Sequence, residues 1–151
     1  MVSRATSLTF ACELDGERLA QLFADRRVIG DLKALDARVT MMVSDFSPQR
    51  VDVIKRLNEA AVPVVGIPLF PAAQGYYFTV DNAPRAASRY ELWREWSARN
   101  GLVWDCVGLD IEPEARFYEQ IMANPWGLSD CWHHGWRTRN APGMLARYTQ
   151  H

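Results

Sequence analysis

The chain has 151 residues, of which 48% are hydrophobic and 23% charged, a balance typical of one soluble globular domain with a buried core. Its formal net charge of −1 excludes a general nucleic-acid binder, whose affinity depends on clustered lysine and arginine. No apolar run approaches the roughly 20 residues that a transmembrane helix needs, so no membrane association is expected.

The N-terminus, MVSRATSLTF, carries one arginine and no long apolar segment, so no secretory signal is visible. The three cysteines are an odd number and are interpreted as reduced, buried thiols. Both observations predict a cytoplasmic protein, with secretion as the alternative if a leader has been removed.

Strand and helix patterns alternate four times along the chain. The predicted strands are 7–14, 38–45, 63–70 and 102–112. A helical pattern begins at Asp15, with Gly30 as a candidate break, and Ser47-Pro48 supplies a cap and a first-turn proline for the second helix. Asn82 with Pro84 opens the third helix, Asn100-Gly101 ends it, and Pro113 begins a fourth. The two prolines of the third strand are expected to bend it or to keep it from the middle of a regular sheet.

Repeated βα units predict parallel strands joined by right-handed crossovers, with helices packed on the sheet. Four such units form half of a (β/α)8 barrel, because a whole barrel needs about 250 residues. An open doubly wound sheet is the alternative, but no glycine-rich turn follows the first strand. We therefore predict an α/β half-barrel over residues 1–124, and an irregular, tryptophan-rich tail with a short helix over residues 125–151, which forms no separate domain.

A half-barrel alone would expose sheet edges and apolar surface, which favours association. The chain is thus expected to be either a fragment or a protomer that completes its sheet in a homodimer with a second copy.

Carboxylates stand at the carboxyl ends of three predicted strands. Glu13 ends the first strand, Asp45 ends the second, and Asp110 and Glu112 end the fourth. Period-two alternation puts Asp110 and Glu112 on the same face as Gly108, opposite an aliphatic face that we expect to lie under the helices. These acids are predicted to gather at the rim where barrel enzymes carry their chemistry. For Asp45 a helix-capping role is the alternative.

The segment DCVGLDIE at residues 105–112 resembles the D-x-x-D-x-D-x-E signature of family 18 glycoside hydrolases, the chitinase-like enzymes. In that family the signature lies on the fourth strand of a (β/α)8 barrel, and here it lies on the fourth predicted strand. Asp105, Asp110 and Glu112 match, whereas Gly108 replaces the second aspartate. The resemblance covers at most half of a family domain.

The resemblance implies that Glu112 is the general acid that protonates the glycosidic oxygen. Asp110 would assist it and hold the acetamido group of the substrate, which is the nucleophile in this substrate-assisted mechanism. The implied ligand is an N-acetylated or related glycan, and no cofactor is implied. The loss of the second aspartate is expected to weaken the tuning of the acid.

Further residues are expected to bind the glycan. Tyr76 and Tyr77 follow the third strand, on the same side as the acids, and aromatic rings can stack on the apolar faces of sugars. Together with Glu13, Asp45 and Asp105 they form the predicted substrate-binding set.

Two other functions stay open. Glu13, Asp45, Asp110 and Glu112 could hold a divalent metal in an isomerase or phosphodiesterase, because Mg²⁺ and Mn²⁺ favour carboxylate oxygens. Alternatively, the chain could be a non-catalytic carbohydrate-binding or self-assembling half-barrel. A cluster at residues 131–134, Cys-Trp-His-His, has no recognisable second ligand group, so no metal site is predicted there.

Overall fold

The fold was analysed in a computed structural model of the chain, which describes residues 8–79 and 81–112. The helix expected at Pro113, the tail from residue 125 and the Cys-Trp-His-His cluster lie outside the described residues. The elements in chain order are β1 (Thr9–Cys12), α1 (Gly16–Ala24), α2 (Arg26–Ala34), β2 (Arg38–Val43), α3 (Pro48–Glu59), β3 (Val64–Pro68), a 3-10 turn (Ala72–Gln74), α4 (Ala83–Asn100) and β4 (Cys106–Val107).

The four strands form one sheet in the order β1-β2-β3-β4, and every neighbouring pair is parallel. Doubly wound sheets reverse their strand order at a switch point, whereas barrels keep it consecutive. The prediction of an α/β fold with four parallel strands is confirmed, and the arrangement is compatible with half of a (β/α)8 barrel.

One face of the sheet is covered by helices. Residues from β1, β2, β3 and all four helices share a single buried core. On β2 the residues Val39, Met41 and Val43 belong to this core, so the alternating residues Thr40 and Met42 lie on the opposite face. In a barrel that opposite face would point inwards. The strand and helix residues of the core are Cys12, Leu19, Phe23, Leu32, Val39, Met41, Val43, Val53, Ile54, Leu57, Val64, Trp93 and Trp96.

The first helical segment is interrupted at Asp25 and not at Gly30. Asp25 has extended backbone, and its carboxylate accepts a hydrogen bond from the Arg27 backbone N–H, which makes it the N-cap of α2. Gly30 lies inside α2. The expected break at Gly30 is therefore wrong. The capping carboxylate of Asp25 stabilises the start of a new helix, whereas a glycine inside a helix only lowers its stability.

The predicted start of α3 and the predicted end of α4 are confirmed. Ser47 caps α3 through the Arg50 backbone N–H, Pro48 follows it, and Gly101 ends α4 in the left-handed conformation with φ 63°. Asn82 makes no capping hydrogen bond to α4. Its side chain instead bonds the preceding loop, accepting from the Thr79 N–H and donating to the Tyr77 carbonyl.

The prolines do not keep β3 out of the middle of the sheet, contrary to expectation. β3 lies between β2 and β4, with Pro63 just before its first residue and Pro68 as its last. Both positions are at strand ends, where a missing N–H does not interrupt the ladder. The Pro63 carbonyl still accepts the Val39 N–H at 2.9 Å.

Within residues 8–79 and 81–112, no helix combines the length and apolar character needed to cross a membrane.

Candidate functional site

Asp45, at the carboxyl end of β2, is held in an ion pair with Arg50 of α3. Arg50 Nη2 lies 2.6 Å from one Asp45 oxygen, and Arg50 Nε donates to the other at 3.3 Å. The Ser47 backbone N–H donates to the same carboxylate. Although partial burial opposes ionisation, the hydrogen bonds from Arg50 and Ser47 lower the pKa of Asp45 to about 2.

Arg50 also ties the ends of two strands together. Its side chain is fully buried, and it donates to the Leu14 carbonyl after β1 at 2.7 Å and to the Met42 carbonyl of β2 at 2.9 Å. Gly16 begins α1 directly beside this group, where any Cβ would clash with the Ser47 hydroxyl. This close packing indicates that Asp45 and Arg50 hold α1 and α3 in position against the carboxyl ends of β1 and β2.

Arg89 of α4 makes a second connection of this kind. It donates to the Leu69 carbonyl at 2.8 Å and to the Ser44 carbonyl at 2.9 Å, so it joins the chain just after β3 to the chain just after β2. Its guanidinium lies 3.9 Å from the centre of the Phe46 ring, which is stacked on Trp96. Burial lowers the pKa of Arg89, and the nearby Asp45 charge opposes this effect.

The loop from β3 to α4 extends across the carboxyl end of the sheet. Phe70 and Phe78 are buried against each other in an edge-on contact with centroids 5.0 Å apart. The Phe70 N–H donates to the Tyr76 carbonyl at 2.8 Å, which closes the loop on itself. At its far end the Phe78 carbonyl accepts the Glu112 N–H at 3.0 Å, and Phe78 forms a parallel bridge with Ile111. The loop therefore fixes the backbone that carries Glu112.

Tyr76 connects this loop to β1. Its side chain lies close enough to Glu13, an exposed residue that follows β1, for that carboxylate to influence the pKa of the tyrosine. Partial burial and the nearby Glu13 carboxylate raise the pKa of Tyr76 well above its usual range, so the hydroxyl keeps its proton at neutral pH. The Tyr76 and Tyr77 rings meet at 85° with centroids 4.9 Å apart. Three of the predicted binding residues are thus brought together.

Asp110 and Glu112 lie beyond the carboxyl end of β4, and both are half-buried. Among the described residues neither takes part in an ion pair, in contrast to Asp45. Gly108 N–H donates to the Gly66 carbonyl of β3 at 2.9 Å, so the pairing of β4 with β3 continues past Val107.

Gly108, which replaces the second aspartate of the signature, lies against an isoleucine. A Cβ added there would lie 3.1 Å from Cγ1 and 3.3 Å from Cδ1 of Ile67, and 3.9 Å from Cγ1 of Val65. The direction of this added Cβ shows that a side chain at residue 108 would lie on the face of the sheet away from the helices, as alternation predicts. Any side chain at this position would therefore begin in tight contact with aliphatic groups of β3.

The aliphatic residues that alternate with the signature are more exposed than expected. Val107, Leu109 and Ile111 retain 42%, 43% and 39% exposure, although we predicted that helices would cover them. β4 is the last strand of the described sheet, and the helix that precedes it packs on β3 through Trp93. The expectation that these residues are covered is not met among the described elements.

Asp105 is separated from the other predicted site residues. It precedes β4, and its carboxylate lies 3.4 Å from Nη1 of Arg38, the first residue of β2. Both residues are therefore at the amino end of the sheet, whereas Glu13, Asp45 and Glu112 are at the carboxyl end. Seven residue-to-residue steps lead from Asp105 to Glu112, and a fully extended chain spans roughly 23 Å over that number of steps. A role of Asp105 in glycan binding stays a prediction.

The described residues contain no group of three or more histidine, cysteine, aspartate or glutamate side chains that could hold a metal ion. The four carboxylates considered as metal ligands at the sequence level do not form such a group. Asp45 is paired with Arg50, and Glu13 lies near Tyr76.

Sequence reasoning missed Arg50, Arg89 and Ile67. Arg50 had a recognisable signal, because it shares the spacing of the core residues Ile54 and Leu57 and so falls on the buried face of α3. A charged residue at such a position needs a buried partner.

Comparison of the chain with protein-family models, curated proteins and solved structures finds no match.

Proposed function

We propose that this protein is a glycoside hydrolase-like half-barrel that binds an N-acetylated or related glycan at the carboxyl end of its sheet. Glu112 is the general acid, and Asp110 assists it and contacts the acetamido group. Glu13, Tyr76 and Tyr77 contribute to binding the sugar. The single observation that carries this proposal is the position of Glu112: beyond a parallel strand, half-buried, and without an ion pair among the described residues.

The surroundings of Glu112 support this assignment. Its backbone N–H is bonded to Phe78, and the same loop reaches Glu13 through Tyr76. A general acid has to be held at a fixed position relative to the groups that orient the substrate. One loop that fixes both sides of the rim meets this requirement.

We also propose that the half-barrel pairs with a second copy. In the described sheet, β1 pairs with β2 alone and β4 pairs with β3 alone, so neither outer edge has a strand partner within residues 8–79 and 81–112. Phe10 beside one edge and Val107 beside the other are 47% and 42% exposed. A twofold axis along the barrel would set β4 parallel to the partner's β1. Light scattering on the purified chain should give the mass of a dimer; a monomer at all concentrations would contradict this proposal.

The catalytic proposal is tested by Glu112→Gln, assayed for hydrolysis of chito-oligosaccharides and for calorimetric binding of the same sugars. We expect hydrolysis to fall by at least about a hundredfold while binding and melting temperature stay close to wild type, because the variant loses only the transferable proton. The matched control is Glu59→Gln at the exposed end of α3, which should leave hydrolysis unchanged.

A second function is favoured by one observation, the aliphatic packing at Gly108, which leaves the acid pair without its third carboxylate. In that case the wild-type chain binds the glycan without hydrolysing it. Sugar binding by wild type with no turnover would therefore identify a carbohydrate-binding module. The absence of both binding and turnover would contradict the glycan proposal.

A further inference from the structure

The two outer strands of the sheet carry exposed apolar residues on the same face. Phe10 of β1 pairs with Val39, a residue of the core under the helices, so Phe10 lies on the helix face. Val107 of β4 pairs with Gly66, where an added Cβ would meet the Trp93 ring of α4, so Val107 lies on the helix face as well. Five of the nine large hydrophobic residues that are exposed in the described chain lie in or beside these two strands: Leu8, Phe10, Val107, Leu109 and Ile111.

The face of the sheet away from the helices carries apolar side chains too. Met42 and Ile67 lie on this face and are partly exposed, whereas all four described helices pack into the core on the opposite face. Parallel sheets occur almost only with both faces buried. Four strands cannot close on themselves, but eight strands form a barrel that is just wide enough for side chains to fill. A second copy therefore covers this face and both strand edges at once.

The strand pairing within one copy also predicts how the two copies are aligned. The successive partners across the four strands are Cys12, Met41, Gly66 and Val107. A (β/α)8 barrel has a shear of about eight residues, so each of two identical halves contributes about four. Four residues before Cys12 is Leu8, at the start of β1, whereas four residues after it is Gly16, already in α1. A β4 strand that pairs with the partner's β1 therefore has Val107 beside Leu8 of the partner subunit.

This alignment brings together two acids that are far apart within one copy. Five residues further along each chain, Glu112 is level with Glu13 of the partner subunit. Both acids lie on the face away from the helices, because each directly follows a residue of the helix face. The two neighbouring strands are about 5 Å apart, whereas Glu13 and Glu112 of one copy are three strand spacings apart, roughly 14 Å along the sheet.

We propose that the glycan site is shared between two copies, with Glu112 and Asp110 from one copy and Glu13 from the partner subunit. This inference rests on the glycan binding and the pairing of copies proposed above. Carboxyl groups that act on one glycosidic bond are about 5–10 Å apart in glycosidases, which fits neighbouring strands and not three strand spacings. A dimer then has two such sites, and a single copy has none that is complete.

The test assays heterodimers, purified from cells that express two differently tagged full chains, for hydrolysis of chito-oligosaccharides at a substrate concentration below KM. As homodimers, Glu112→Gln should be inactive and Glu13→Ala should lower kcat/KM about tenfold. Their heterodimer has one site with both changes and one site with neither, so it should have about half of the wild-type activity. If each site lay within one copy, this heterodimer would have about one twentieth.

The reverse arrangement pairs the wild-type chain with a chain that carries both Glu13→Ala and Glu112→Gln. Neither shared site is then complete, so activity should fall to about one twentieth, whereas sites within one copy would leave about half. The matched control pairs Glu112→Gln with Glu59→Gln, because Glu59 is exposed on α3. It should have about half of the wild-type activity, which shows that a heterodimer with one intact site is active.

Three results would overturn the inference while leaving glycan hydrolysis intact. They are one twentieth in the first heterodimer with half in the reverse one, wild-type kcat/KM in Glu13→Ala, and an active wild-type monomer, in which another segment of the same chain would cover β4. A wild-type chain without turnover would overturn the proposed catalytic function, and this inference with it.

Discussion

The two ends of the sheet use charged and polar residues differently. At the amino end, Arg38 and Asp105 form an ion pair in which both side chains are about 40% exposed, and Asn58 exchanges two hydrogen bonds with the backbone of Val103. At the carboxyl end, the fully buried Arg50 binds a carboxylate and two strand-end carbonyls. The polar interactions of the amino end are therefore mainly at the surface, whereas those of the carboxyl end include a buried guanidinium group.

A second difference separates the acids of the carboxyl end itself. Asp45 is fully engaged by Arg50 and Ser47, while Glu13, Asp110 and Glu112 make no ion pairs among the described residues. Asp45 therefore contributes to the stability of the fold, and Glu13, Asp110 and Glu112 are the carboxylates that we propose for ligand binding. The comparison shows that carboxylates near the ends of parallel strands differ in whether an arginine pairs with them.

The largest expected effect comes from replacing the buried arginine. Arg50→Met leaves Asp45 and the Leu14 and Met42 carbonyls without their donor, so we expect the free energy of unfolding to fall by about 3–5 kcal/mol. Arg38→Met breaks the exposed pair at the opposite end and should cost less than about 1 kcal/mol. Urea denaturation measures both. Equal losses would remove the distinction between the two ends.

The next effect concerns the glycine in the signature. Gly108→Asp restores the family pattern but places a carboxylate against Ile67 and Val65, so stability should fall by about 2 kcal/mol. In an Ile67→Ala background the same substitution should cost at least about 1 kcal/mol less.

Gly30→Asp serves as the control, because no atom lies within 4 Å of a Cβ added at Gly30 on α2. It should change stability by no more than about 0.5 kcal/mol. An unchanged stability of Gly108→Asp would mean that the signature glycine is not required by the packing of β3.

The smallest effect is a dependence of stability on pH. The pKa of Asp45 falls from its usual 3.8 to about 2 in the folded chain, so its stabilisation is fully present above about pH 4 and is lost as pH falls through about 2. After allowance for the partial exposure of this carboxylate, the loss is about 1 kcal/mol. Asp45→Asn should remove this part of the acid sensitivity between pH 4 and pH 2, as measured by urea denaturation.

The sequence predicted those features that depend on local signals. The presence and order of the four strands follow from alternation, and the Ser47-Pro48 start of α3 and the Gly101 end of α4 follow from capping. The fourth strand was predicted over residues 102–112, whereas in the structure it is limited to Cys106–Val107. The break at Asp25 was missed because a glycine was given more weight than a capping carboxylate.

The parts of the site that the sequence did not reveal depend on contacts between distant segments. Tyr76 meets Glu13, and Arg50 meets Leu14, because the fold brings separate strand ends together. The signature itself appears continuous in the sequence. In the structure, Asp105 precedes β4 and is paired with Arg38, whereas Glu112 lies five residues beyond the end of β4 and is bonded to Phe78. Residues that are close together in the motif therefore contact different parts of the sheet.

The central claim is that the carboxyl end of the sheet binds a glycan and the amino end does not. The most direct measurement is an NMR titration of the isotope-labelled chain with a tetramer of N-acetylglucosamine, following the backbone amides. The account predicts shifts at Glu13, Tyr76 and Glu112, with Arg38 and Val103 unaffected. Shifts confined to the amino end, or no shifts at any sugar concentration, would contradict it.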